Sequence, residues 1–135
     1  MSDLEKNKQV AKDFFAALSS GNIAALMNLF DPDIKITIPN TSCLGGTLTL
    51  KEFGKVGGLL AEVCPGGVAL EVIEMTAEED RVACRVNGTA KTVSGGDYNN
   101  QYHMLLKIRD GKIYQTYEYM DSLLVEKTFA ALMNK

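Results

Sequence analysis

The chain has 135 residues, 46% of them hydrophobic and 23% charged, with a formal net charge of −3. That length and apolar content suit one globular domain, residues 1–135, with its own core. Acidic and basic residues are interspersed with no basic stripe, which argues against nucleic acid as a partner. Every apolar stretch is interrupted well short of the roughly 20 residues a membrane span needs. The opening residues, "MSDLEKNKQVAKDF", are charged and helical in character, unlike a secretory leader. Cys43, Cys64 and Cys84 stand at wide spacing with no CxxC pair, and read as free thiols of a reduced, cytoplasmic protein.

Residues 3–19 place Val10, Ala11, Phe14, Phe15 and Leu18 at helical spacing, with Ser2 or Asp3 available as cap. Gly21 suits the left-handed residue that ends such a helix, and Asn22 can cap a second one, "IAALMNLF". "DPD" is expected to break the chain before "IKITIP", a strand alternating Ile34, Ile36 and Ile38 with Lys35 and Thr37. Thr49 followed by Glu52 is a capping-box pattern for a third helix, reaching about Val63. Gly54, Gly57 and Gly58 weaken that helix, so it is either short or closely packed by another backbone.

After "PGG" at 65–67 the pattern changes to strands: Val68–Thr76, Arg81–Val93, Asn100–Arg109 and Lys112–Asp121. The turns between them are "EED", "SGGD" and "RDG", the last a strong hairpin signal. Asp121 or Ser122 can cap a closing amphipathic helix, "LLVEKTFAALMNK". Helices first and antiparallel strands after imply an α+β domain, with helices over one face of a curved sheet.

Alternation sorts the strand faces. Tyr102, Met104, Leu106 and Ile108 share one face, with His103 and Lys107 on the other. Val82, Cys84 and Val86 oppose Ala83, Arg85, Asn87 and Thr89. In the last strand Tyr114, Thr116 and Glu118 oppose Ile113, Tyr117 and Tyr119. Periodicity leaves open whether Arg85 and Glu118 form an exposed cross-strand pair or a pair inside a pocket.

The stretch "DFFAALSSGNIAALMNLFDPDIKITIP", together with the strands ending in "DGKIYQTYEYMD", resembles the SnoaL-like polyketide cyclases over nearly the whole chain. These belong to the nuclear-transport-factor-2-like superfamily, with ketosteroid isomerases and limonene-type epoxide hydrolases. The resemblance implies a cone-shaped, cystatin-like α+β fold: an antiparallel or mixed curved sheet, N-terminal helices over its concave face, and an internal pocket. Where the isomerases carry a tyrosine oxyanion donor and an aspartate base, this chain has Phe14 and Ile38. Arg85-x-Asn87 looks like the epoxide hydrolases' Arg-x-Asp pair, and Glu118 occupies the place of their last-strand carboxylate. Lys35 and Thr37 replace that family's first-strand tyrosine and asparagine.

The resulting expectation is an enzyme acting by acid/base chemistry on a polyketide-, terpenoid- or steroid-like molecule. Arg85 would hold Glu118 ionised with Asn87 beside them, and Thr37, Tyr102, Phe14, Ile38, Met104 and Thr116 would line the pocket. A non-catalytic ligand-binding or dimerisation module on the same fold is the alternative. No metal or cofactor is implied, since no ligand cluster has usable spacing. The outward set Ile113, Tyr117 and Tyr119 predicts a homodimer through the convex sheet face.

Overall fold

In the computed structural model, residues 2–39 and 41–133 are described, with the side chains of 132 and 133 excepted. The last two residues expected in the closing helix lie outside that range. Helix α1 (Asp3–Ser20) starts where the Ser2 hydroxyl accepts a hydrogen bond from the Glu5 amide, and ends at Gly21 with φ of 68°. The Asn22 side chain then accepts from the Ala25 amide and caps α2 (Ile23–Leu29).

Strand β1 (Phe30–Ile38) follows α2 directly. "DPD" therefore does not break the chain. It lies within β1, and the ladder to the last strand shifts register between Phe30 and Lys35. An irregularity of this kind accommodates a proline that has no amide to donate. A three-residue strand, β2 (Gly46–Leu48), was not anticipated; it pairs with the outer edge of β1. Helix α3 (Leu50–Val63) carries the full capping box between Thr49 and Glu52.

The meander comprises β3 (Ala69–Glu78), β4 (Arg81–Thr89), β5 (Gln101–Arg109) and β6 (Lys112–Met120). β4 stops four residues before the expected Val93; beyond it, Lys91 and Asp97 form an isolated bridge. Helix α4 (Ser122–Met133) is capped by Asp121, whose carboxylate accepts from the Leu124 amide at 3.2 Å. The strand order is β2-β1-β6-β5-β4-β3, with β1 parallel to β6 and every other neighbour antiparallel. The result is the expected α+β architecture on a mixed sheet.

Two bulges set which side chains face the helices. The β5–β6 register passes from Lys107↔Gln115 to Ile108↔Ile113, which leaves Tyr114 as the extra residue. Ile113 therefore turns inward and is fully buried, against the expectation that it joins Tyr117 and Tyr119 outside. A bulge at Ile73 likewise puts Ile73 and Glu74 side by side on the outer face. The main core packs Ala11, Phe14 and Phe15 of α1 onto Ile34, Ile36, Val82, Cys84, Val86, Met104 and Leu106. A second cluster joins Val63, Cys64 and Val68 to Tyr98, Val125 and Phe129. Helix α3 leans chiefly on β1 and β2.

Candidate functional site

Between α2, α3 and the inner sheet face lies a cavity of about 610 Å³. Its sheet wall carries Ile38, Val86, Tyr102, Met104 and Glu118; its helix wall includes Ile23, Met27, Phe53 and the α3 glycines. Glu118 is the only charged side chain among the described residues that line it. It enters by strand alternation, since it pairs across β5–β6 with Met104, which faces the core. Its side chain is partly buried and lines the cavity.

No salt bridge or hydrogen bond to the Glu118 carboxyl occurs among the described residues. Burial alone acts on it, and pushes its pKa from 4.5 up to about 7. Two phenols stand nearby. Burial, above all, raises the pKa of both Tyr98 and Tyr102; the two interact with each other, and the Glu118 charge raises both further. Both hydroxyls thus keep their protons through the neutral range and can donate hydrogen bonds.

Tyr98 is held by Asn100, which is 1% exposed. Its amide nitrogen donates to the Tyr98 hydroxyl and to the Asp121 carbonyl, both at 3.2 Å, while its oxygen accepts from the amides of Gln101 and Asp121. Gly88 makes room for Tyr102: a Cβ there would lie 2.9 Å from the Tyr102 ring and 3.1 Å from Val68. Tyr98 was not singled out in the sequence. It precedes β5 in a loop where strand alternation does not reach, and its only signal is an aromatic residue amid "SGGDYNN".

The expected site residues separate into three groups. Glu118, Tyr102, Ile38 and Met104 come together on the cavity wall. Phe14 and Thr116 are buried, each 1% exposed, in the core beside the cavity and not on its surface; the Thr116 hydroxyl has no hydrogen-bond partner. Arg85, Asn87 and Thr37 are on the opposite face of the sheet. Arg85 donates to Glu74 at 2.8 Å, and the Thr37 hydroxyl lies 3.2 Å from that of Thr47. The Arg85–Glu118 pair does not exist, because Val82, Cys84 and Val86 occupy the inner face of β4 and send Arg85 and Asn87 outward.

His103 is exposed on that same outer face, as its strand parity requires. Cys64 and Cys84 are buried free thiols; burial raises both, Cys84 to about 12, which leaves no reactive thiolate. No group of three or more His, Cys, Asp or Glu side chains suited to a metal ion forms among the described residues. No helix among them is long and apolar enough to cross a membrane.

The fold recurs in solved structures. Bal32a, from a soil-derived mobile gene cassette, superposes with a TM-score of 0.84 at 18% identity, covering 95% of this chain and 99% of that one. IdmH of Streptomyces antibioticus, described as a candidate polyketide cyclase, gives 0.78 at 17% identity over 92% and 98% of the two chains. A Xanthomonas campestris protein of unknown function with a cystatin-like fold gives 0.77 at 25% identity over 87% and 93%. No curated protein matches in sequence. The profile of the SnoaL-like domain matches residues 11–116, most of the chain and nearly all of the sheet and cavity described above. The chain belongs to the SnoaL-like domain family.

Proposed function

We propose that this protein is a small-molecule enzyme that binds a hydrophobic substrate in the cavity and uses Glu118 to move a proton. The observation that supports this is a carboxyl, unpaired among the described residues, on the wall of an apolar cavity, its pKa pushed up to about 7. A group poised there populates both protonation states at neutral pH, so it can take a proton and return it. Retaining an uncompensated carboxyl in such a place costs stability, which favours a chemical role for it.

The reaction class that suits this arrangement is proton abstraction from a carbon next to a carbonyl. Glu118 as carboxylate removes the proton, and the electron pair moves onto the carbonyl oxygen. A phenol of the Tyr98–Tyr102 pair donates a hydrogen bond to that oxygen. The carboxylic acid then returns the proton, either to a different atom of the substrate or, where the enolate carbon adds to a second carbonyl of the same molecule and closes a ring, to the alkoxide oxygen left as that C=O π bond breaks. Polyketide-, terpenoid- and steroid-like ketones fit the apolar lining, and the description of IdmH puts polyketides first among them.

Glu118→Gln tests this reading against a panel of such ketones. The amide keeps the shape and cannot accept the proton, so turnover should fall about a hundredfold or more, with ligand affinity within a few-fold. The wild-type rate should depend on a group titrating near 7. A substrate that Glu118→Gln turns over at the wild-type rate refutes the mechanism. Ile38 on the cavity wall, where the resemblance places the isomerases' aspartate base, favours a second reading, a module that binds without reacting. Tight binding with no turnover of any ketone in the panel would select it.

A further inference from the structure

Glycines in this chain fall into kinds with different physical causes. Gly21, Gly46, Gly67, Gly95 and Gly111 have positive φ, where a side chain is strained. Gly45 and Gly88 are packed: a Cβ at Gly45 would run into the Pro39 carbonyl oxygen, and one at Gly88 would press on Tyr102. Gly54, Gly57 and Gly58 belong to neither kind. They sit inside α3 with helical backbone, where glycine is the least favourable residue after proline. A Cβ at any of the three would meet nothing within 4 Å. The sequence reading allowed a short helix or a close backbone neighbour, and the structure has neither: α3 runs its full 14 residues.

What the three positions share is the cavity, which all of them line. They recur at i, i+3 and i+4, so they form one face of the helix. The wall around them is apolar and bulky, with Phe53, Val56 and Leu60 on the same helix. The second observation is Glu118, a carboxyl without a partner among the described residues, which lines the same space from the sheet wall. The glycines are exposed at the open side of the cavity, and that bare wall facing a carboxyl without a protein partner among the described residues points to a ligand.

We infer that the glycine face of α3 is the specificity-determining wall of the cavity: it sets how broad a ligand can lie between α3 and the sheet. The ligand has a rigid apolar face wider than an alkyl chain, which rests on bare helix backbone at Gly54, Gly57 and Gly58. Larger residues at these positions would stabilise α3 and narrow the cavity, leaving room only for slim molecules. This rests on the cavity being a ligand site, and it is independent of any proton transfer.

The test compares two hydrocarbon probes, pyrene and naphthalene, by their own fluorescence on titration with the wild type, Gly57→Leu and Glu118→Gln. Neither probe carries a proton for Glu118 to move. Wild type and Glu118→Gln should bind both probes. Gly57→Leu should lose about tenfold or more in affinity for pyrene and stay within about threefold for naphthalene, since shape exclusion in an apolar pocket discriminates on this scale. Should Gly57→Leu not fold, Gly57→Ala applies the same test at smaller amplitude. A pyrene-to-naphthalene ratio unchanged by substitution overturns the inference and leaves the Glu118 chemistry standing. Failure of the wild type to bind either probe overturns the cavity as a ligand site, and the inference with it. Glu118→Gln losing turnover or keeping it bears on the proposed reaction alone.

Discussion

Among the described residues Glu118 has no cation beside it, so its proton affinity is set by the apolar surroundings, and that ties stability to pH. Its pKa is 4.5 when exposed and about 7 when folded. Below the lower value both states hold the proton and the group contributes no difference. Between the two, the folded chain keeps a proton that the unfolded chain has released, so stability falls as pH rises. Above about 7 the loss is complete, at about 3 kcal/mol for a shift of this size. Glu118→Gln should remove that slope. Denaturant titrations should find the variant close to wild type at about pH 4 and clearly more stable at about pH 8.5. A wild type equally stable at both would place the carboxyl in water. Arg85 calls for the opposite expectation. A buried partner of Glu118 would cost about 3–5 kcal/mol to truncate, whereas Arg85 is 52% exposed and bound to an exposed Glu74. Arg85→Ala should change stability by under about 1 kcal/mol. Alternation put Tyr102 on the core face but left the aim of Glu118 open, and it was the family resemblance that placed Glu118 in a pocket. The apolar Val82, Cys84 and Val86 beside Arg85 pointed it outward, but the aromatic Tyr117 and Tyr119 on the other face of the last strand left the choice open, and the family analogy then favoured a pair in the pocket.

Among the elements, α3 gives the cleanest stability test. Its capping box was readable from Thr49 and Glu52, and the helix forms despite three interior glycines. With open space at each Cβ position, Gly54→Ala and Gly58→Ala should each add about 0.5–1 kcal/mol in denaturant unfolding. Destabilisation would mean that something packs there after all. Most element positions followed from caps and periodicity, and the misreadings share a cause. Parity is a local rule, and one extra residue reverses it. Tyr114 is such a residue, so Ile113 moved from the outer face to the core. The shift between Phe30 and Lys35 let β1 run through Pro32, where the proline alone argued for a break. β2 escaped notice because three residues are too few to show alternation; what defines it is pairing with Ile36–Ile38, a long-range fact. The cavity escaped for a similar reason. No single element encloses it, and the glycines that open it look in sequence like ordinary helix breakers.

On the scale of the molecule, helix α1 and the cavity occupy one face of the sheet, and among the described residues no element covers the other. The expected aromatic patch there has lost Ile113, but the cross-strand register assembles a different one. Thr47, Thr37, Tyr117, Leu105, Ala83 and Thr76 follow one another across β2, β1, β6, β5, β4 and β3. This row crosses the whole sheet without a charge. Beside it Tyr119, His103, Arg85 and Glu74 form a second row, with Tyr119 56% exposed. An uncharged strip flanked on one side by Tyr119, His103 and Arg85 and on the other by Lys35, Lys107 and Arg81, with the Lys107 ammonium 5.9 Å from the Tyr117 ring centre, has the composition of an interface core and rim. A two-fold axis through such a strip would set it against its own copy, with the charged row at the edge. The expected state is a homodimer, so light scattering at micromolar concentration should give about twice 14.7 kDa. Leu105→Lys would place two like charges against each other on the axis and should shift the mass to the monomer, with the fold retained by circular dichroism. A wild type that scatters as a monomer throughout that range would show that this face meets water, and that the tyrosines serve only the sheet.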